Sequence, residues 1–210
     1  MLALDVENGK EAFRLLDKIS AFTDVIKFNY PLVLKEGISI ITKVKKRYKK
    51  PVLADFKIAD IPVTNNRIIK ISLQAGADAA MIHGFVGIDA LRSAKKAAGR
   101  MKLFLMTQPT NPGGLDFYAP YTDIFARLAK TLGFAGVQAP GNRPDVVRKV
   151  RRIVGKKMML ISCGIGKQGG EFGAAIKAGA DFEIIGRAIY DEADPLKEIR
   201  AIAEKIKPFL

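Results

Sequence analysis

A single cysteine, a single histidine and no tryptophan occur among the 210 residues of the chain. Cys163 has no second thiol with which to close an internal disulfide, and this fits a reducing, cytoplasmic setting. One histidine and one cysteine also leave a structural zinc site short of ligands. No apolar run approaches the ~18 to 20 residues of a membrane span. Asp5, Glu7 and Lys10 interrupt any secretory-signal reading of the first residues. Carboxylates are the scarcer charge: 21 Asp and Glu stand against 35 Lys and Arg, a formal net charge of +14. That imbalance predicts an anionic partner, either nucleic acid or a phosphorylated small molecule. The densest basic groups, Lys43 to Lys50 and Arg143 to Arg152 with Lys156 and Lys157, fall at expected helix ends, where cations complement the dipole. Neither interleaves aromatics as a nucleic-acid stacking platform does. Both read as solvated faces, so nucleic acid is not expected.

Short apolar runs alternate with amphipathic, charged segments along residues 1–210. Strands are predicted at 2–5, 24–28, 51–57, 78–83, 102–107, 134–138, 158–162 and 182–185. Helices are predicted near 9–19, 31–48, 62–75, 87–98, 114–132, 143–154, 170–178 and 195–208. Eight such units in one domain predict a parallel sheet closed into an α/β barrel of the (β/α)₈ type. An open, doubly wound sheet is the alternative if the sixth and eighth strands fail. The turns Ala75-Gly76-Ala77-Asp78 and Ala178-Gly179-Ala180-Asp181 repeat one helix-to-strand pattern, with glycine where a left-handed residue ends the helix.

Barrel chemistry sits at the C-terminal ends of strands, and the polar residues there are informative. In Val52-Leu53-Ala54-Asp55-Phe56-Lys57, alternation puts Leu53, Asp55 and Lys57 on one face. Charges aimed inward from an apolar strand carry a desolvation cost that folding alone does not require. Asp60 follows three residues later, closed by Ile61-Pro62. Asp5 ends the first strand, and Lys27 points as Lys57 does. Neighbouring strands thus predict an alternating array of Asp5, Lys27, Asp55, Lys57 and Asp60 at one mouth. His83, at the end of the fourth strand, reads as a wall residue beside that array. The Gly-rich run Cys163 to Gly170 and the pair Gly186-Arg187 follow strands seven and eight, where barrels commonly bind phosphate. Arg187 adds a charged fork suited to it. The run Thr107 to Gly114 is equally a plain turn or a recognition loop for a polar heterocycle.

The motif Asp55-Phe56-Lys57-Ile58-Ala59-Asp60-Ile61-Pro62 matches the D-x-K-x-x-D-I-P signature of orotidine 5′-phosphate decarboxylases. Leu2-Ala3-Leu4-Asp5, Ile26-Lys27, Gln168-Gly169-Gly170 and Gly186-Arg187 support it in the expected order, and the chain resembles the compact archaeal-type members over essentially its full length. The resemblance implies a cofactor-free, metal-free decarboxylation in pyrimidine biosynthesis, with Lys57 as the proton donor in a network with Lys27, Asp55 and Asp60. It further implies that Asp5 and Lys27 contact ribose hydroxyls, and that Gln168, Gly186 and Arg187 hold the phosphate. Thr110 aligns with a serine that contacts the pyrimidine, with Thr107 as the alternative. Asp60, Ile61 and Thr64 are implied to reach the neighbouring site of a homodimer. Magnesium-dependent hexulose-phosphate enzymes are similar around the D-x-K-x-x-D core, but typically carry an acid where Lys27 stands. Two departures are evident: Cys163 replaces a frequent proline, and Thr110 sits in Gln108-Pro109-Thr110-Asn111 instead of the common serine-containing version.

Overall fold

The computed structural model describes residues 1–210. Eight parallel strands run in chain order: β1 (Leu2–Ala3), β2 (Ile26–Phe28), β3 (Val52–Ile58), β4 (Ala79–His83), β5 (Lys102–Met106), β6 (Gly136–Pro140), β7 (Met159–Cys163) and β8 (Phe182–Glu183). The ring closes just beyond β8. Ala3 N donates to Ile185 O at 2.8 Å, and Ile185 N donates to Met1 O at 3.0 Å. The sixth and eighth strands both form, so the barrel and not the open sheet is the architecture, although β6 starts two residues later than alternation suggests.

Burial separates into two layers, as a closed parallel sheet demands. Ala3, Leu53, Ala79, Met81, Phe104, Met106, Ile161 and Ile184 pack together inside the barrel. A second cluster of 47 residues, including Leu4, Phe28, Val52, Phe56, Val137 and Leu160, lies between strands and helices. Gly136 makes the inner layer possible, because a Cβ there would stand 2.4 Å from the Phe104 ring.

The covering helices are α1 (Gly9–Ile19), α2 (Tyr30–Glu36), α3 (Ser39–Tyr48), α4 (Pro62–Gln74), α5 (Ile88–Ala98), α6 (Gly114–Phe117), α7 (Thr122–Thr131), α8 (Pro144–Val154), α9 (Ala174–Lys177), α10 (Arg187–Tyr190) and α11 (Pro195–Ile206). Three differ from the periodicity. The 31–48 helix breaks at Gly37, whose φ of +76° no helix accommodates. The 114–132 helix divides around a 3₁₀ turn, Ala119–Tyr121, that contains Pro120. The 170–178 helix shrinks to α9, and the short α10 after β8 was not anticipated. No helix is long and apolar enough to cross a membrane.

Candidate active site

At the C-terminal mouth, four charges alternate in sign across the first three strands. Lys27 Nζ donates to Asp5 Oδ1 and Oδ2 at 3.2 and 3.1 Å and lies 3.5 Å from Asp55 Oδ2. Lys57 Nζ donates to Asp55 Oδ1 and Oδ2 at 2.8 and 2.9 Å. Asp55 and Lys27 are almost wholly withdrawn from water, at 1% and 4% exposure. Burial works against the Lys27 charge, yet Asp55 and Asp5 outweigh it and hold its pKa above the ordinary lysine value. Breaking such a buried pair would strand a charge.

Lys57 reaches this array by an irregular route. Along β3 and β4 the register runs Ala54 opposite Ala80, then Ile58 opposite Ile82, so the bulged β3 spends two extra residues there. Lys57 itself has φ +42°, a left-handed conformation costing a non-glycine residue roughly 1–2 kcal/mol. Bulges beside functional sites commonly re-aim a side chain. Simple alternation thus names the right face for Lys57, but the bulge delivers its ammonium to Asp55.

Asp60 does not join the array within one chain. Its carboxylate accepts from Ile61 N at 2.6 Å, while Asn65 Oδ1 accepts from Asp60 N at 2.9 Å and Asn65 Nδ2 donates to Asp60 O at 2.6 Å. This pinned turn faces outward, leaving Ile61 65% exposed. The expected fifth charge therefore lies outside the cavity, and Ile61 and Thr64 do not line it either.

The array forms one wall of a cavity of about 370 Å³. Asp5, Lys27, Asp55, Lys57, Thr110, Gln168, Gly186 and Arg187 all border it. Such a volume suits a small ligand. Arg187 opens α10 and makes no ion pair within the chain. The Gly-rich run folds on itself, with Gly166 N donating to Gly170 O at 2.7 Å and Gly170 N to Gly164 O at 3.0 Å. The segment that follows it is held by buried Glu183, which accepts from Gly173 N and Ala175 N, both at 3.0 Å. Thr110 Oγ1 donates to Gln168 Oε1 at 2.6 Å and so links the two flanking loops. Thr107 is fully buried, and its hydroxyl donates to Gln138 O at 2.7 Å. Of the two threonines, Thr110 faces the cavity.

His83 also borders the cavity, packed against Phe85 and Tyr118 at centroid distances of 4.8 and 5.7 Å. Burial, reinforced by the Lys57 charge, lowers its pKa to about 4. His83 Nδ1 and the Tyr118 hydroxyl share a hydrogen bond. Burial pushes the Cys163 thiol up to about 11, so this sulfur at the cavity edge stays protonated at neutral pH.

Several lining or supporting residues escaped the sequence reading: Asn29, Gln138, Asn142, Arg143 and Tyr190. Arg143, grouped there with a solvated basic face, instead donates to the carbonyls of Pro109 at 2.9 Å, Thr110 at 3.4 Å and Asn111 at 2.9 Å. Asn142 Nδ2 donates to Thr110 O at 3.0 Å. The signal for both was Asn142-Arg143-Pro144, a helix start directly after a strand tip.

The chain as a whole has relatives. Residues 1–202 match the model of the orotidine 5′-phosphate decarboxylase / HUMPS family. The chain is 42% identical over 209 residues to the orotidine 5′-phosphate decarboxylase of Methanosarcina acetivorans, covering 99% of this chain and 94% of that one. To the enzyme of that name from Pyrococcus furiosus it is 38% identical over 207 residues, covering 99% and 97%. A crystal structure of the Methanocaldococcus jannaschii orotidine 5′-monophosphate decarboxylase complexed with the inhibitor BMP superposes with a TM-score of 0.93 at 36% identity, covering 98% of this chain and 97% of that one. With the family model matched over residues 1–202 and sequence and fold similar over nearly the whole length, the chain belongs to the orotidine 5′-phosphate decarboxylase / HUMPS family.

Proposed function

We propose that the chain decarboxylates orotidine 5′-phosphate to UMP and CO₂, the reaction its relatives are named for. The observation that carries this reading is the Asp5–Lys27–Asp55–Lys57 array, buried beside a cavity whose other end offers Arg187 and the Gly-rich loop. The phosphate is assigned to Gln168, Gly186 and Arg187, the ribose hydroxyls to Asp5 and Lys27, and the pyrimidine edge to Thr110. The reacting carbon then falls at Lys57. As the bond from C6 to the carboxylate breaks, its electron pair stays on C6, and Lys57 Nζ supplies the proton that completes UMP. An ammonium already fixed by Asp55 stabilises that developing charge with no reorganisation during the reaction. The neutral amine regains its proton from solvent.

Asp5 and Asp55 are both engaged by Lys27, and Asp55 also by Lys57, so the carboxylates a divalent cation would seek already hold ammonium groups. This favours the decarboxylase over the magnesium-dependent sugar-phosphate reading. We also assign Asp60, Ile61 and Thr64 to the neighbouring site of a homodimer. Exposed Ile61, Val63, Phe85 and Ile88 support a covering second chain, because apolar surface of this kind is characteristic of an interface.

Incubation with orotidine 5′-phosphate, followed by ultraviolet absorbance with and without a chelator, tests the assignment. Chelator-insensitive loss of the orotate absorbance is expected. An unchanged spectrum at ample protein rejects it.

A further inference from the structure

Gln138 is a buried polar residue of the cavity wall whose side-chain oxygen is left without a partner by the chain. It is 1% exposed, and its Oε1 has no hydrogen-bond partner. Its backbone is locked: Gln138 O accepts from Thr107 Oγ1 at 2.7 Å and from Thr107 N at 3.0 Å. The strand neighbours in register, Met106 on β5 and Ile161 on β7, are apolar. An unpartnered buried amide is costly, and replacing it with an apolar side chain would remove that cost. A half-turn of the terminal torsion exchanges amide oxygen and nitrogen, so the same side chain can present a donor to a ligand.

Position narrows what the amide is for. A Cβ on Gly136 would meet the interior Phe104 ring, so position 136 faces inward and alternation along β6 turns Gln138 inward too. In a closed ring of eight, β6 stands opposite β2 and three strands from β3, so Gln138 faces Lys27 and the Asp55–Lys57 pair across the cavity. It lies level with Met106, deeper than Thr110, which belongs to the loop above β5. A ligand that fills the space between meets charge on one side and a carboxamide on the other, at the end where the reacting carbon sits.

Resting on the decarboxylase assignment above, we propose that Gln138 recognises the carboxylate that the reaction expels, donating from Nε2 to one of its oxygens and so distinguishing substrate from decarboxylated product. The carboxylate loses its charge as CO₂ departs, and the bond weakens along the reaction. Its removal therefore falls on KM more than on kcat.

The test is steady-state kinetics with orotidine 5′-phosphate, alongside UMP as a competitive inhibitor, for the parent protein, Gln138→Met and Gln138→Asn. Gln138→Met should raise KM about tenfold or more, the usual effect of deleting a hydrogen bond to a charged group. It should leave the UMP inhibition constant within about twofold, and it should melt a few degrees higher without ligand. Gln138→Asn keeps an amide but withdraws it by one methylene, and reports in the same direction if Gln138→Met fails to fold. Unchanged KM in a folded variant overturns the proposal, as does an equal loss of affinity for UMP, which would place the amide against the ring. A parent protein that does not consume orotidine 5′-phosphate rejects the decarboxylase assignment itself, a result separate from either of these.

Discussion

Asp55 receives the Lys57 ammonium on both carboxylate oxygens, at 2.8 and 2.9 Å, while standing 3.5 Å from Lys27. One almost fully buried acid thus holds two cations in place. Asp55→Ala should destabilise the protein by about 3 kcal/mol, because Lys27, itself almost wholly buried, keeps only Asp5 as a counter-charge. Urea denaturation at neutral pH measures it, and an unchanged midpoint would contradict the pairing.

Lys57→Ala should lower kcat at least about a thousandfold, by removing the group assigned as proton donor and with it the proposed charge stabilisation. The fold should survive. The left-handed backbone at this position adds a second expectation: Lys57→Gly should be as inactive but about 1 kcal/mol more stable than Lys57→Ala. Equal melting temperatures for the two variants would mean that the conformation carries no strain.

Arg187→Ala should weaken substrate binding about tenfold or more, with a smaller effect on kcat, since the unpaired guanidinium is assigned to the remote phosphate. Apparent affinity equal to the parent's would remove Arg187 from that role.

Much of this was legible in the chain. Asp55 and Lys27 stand out because charge inside an apolar strand is conspicuous, and the eightfold alternation leads to a closed sheet. The bulge at Lys57 is not legible, because it arises from the register of β3 against β4 and not from local spacing. Asp60 lies close in sequence to Lys57, yet the Asn65 side chain turns its loop away. Arg143 resembles the solvated arginines that follow it, and only the folded position of residues 109–111 reveals what it holds. The α2–α3 and α6–α7 breaks depend on single residues, Gly37 and Pro120, that long amphipathic patterns obscure.

His83 supplies a pH signature. Folded, it stays neutral down to about pH 4, whereas an unfolded histidine titrates near 6.5. The unfolded chain takes up the proton first, so stability is intact above about pH 6.5 and falls on acidification toward 4, by at most about 3 kcal/mol from this group. Melting temperature against pH should show that slope, and His83→Gln should flatten it. A parent-like slope in the variant would assign the acid sensitivity elsewhere.

The dimer assignment predicts complementation. Asp60→Ala and Lys57→Ala proteins should each be nearly inactive, whereas subunits re-assorted from an equal mixture should recover about a quarter of parental activity, from hybrids with one intact site. A mixture as inactive as its components would mean that Asp60 does not act across subunits.

Arg143 has a consequence for how a ligand is captured. By gripping three successive carbonyls after β5, it makes that rim behave as a rigid part of the scaffold before anything binds. A visitor to the cavity then forfeits no entropy in settling that side. Cutting the grip should slow productive docking through a floppier doorway, with every atom that touches the visitor left in place.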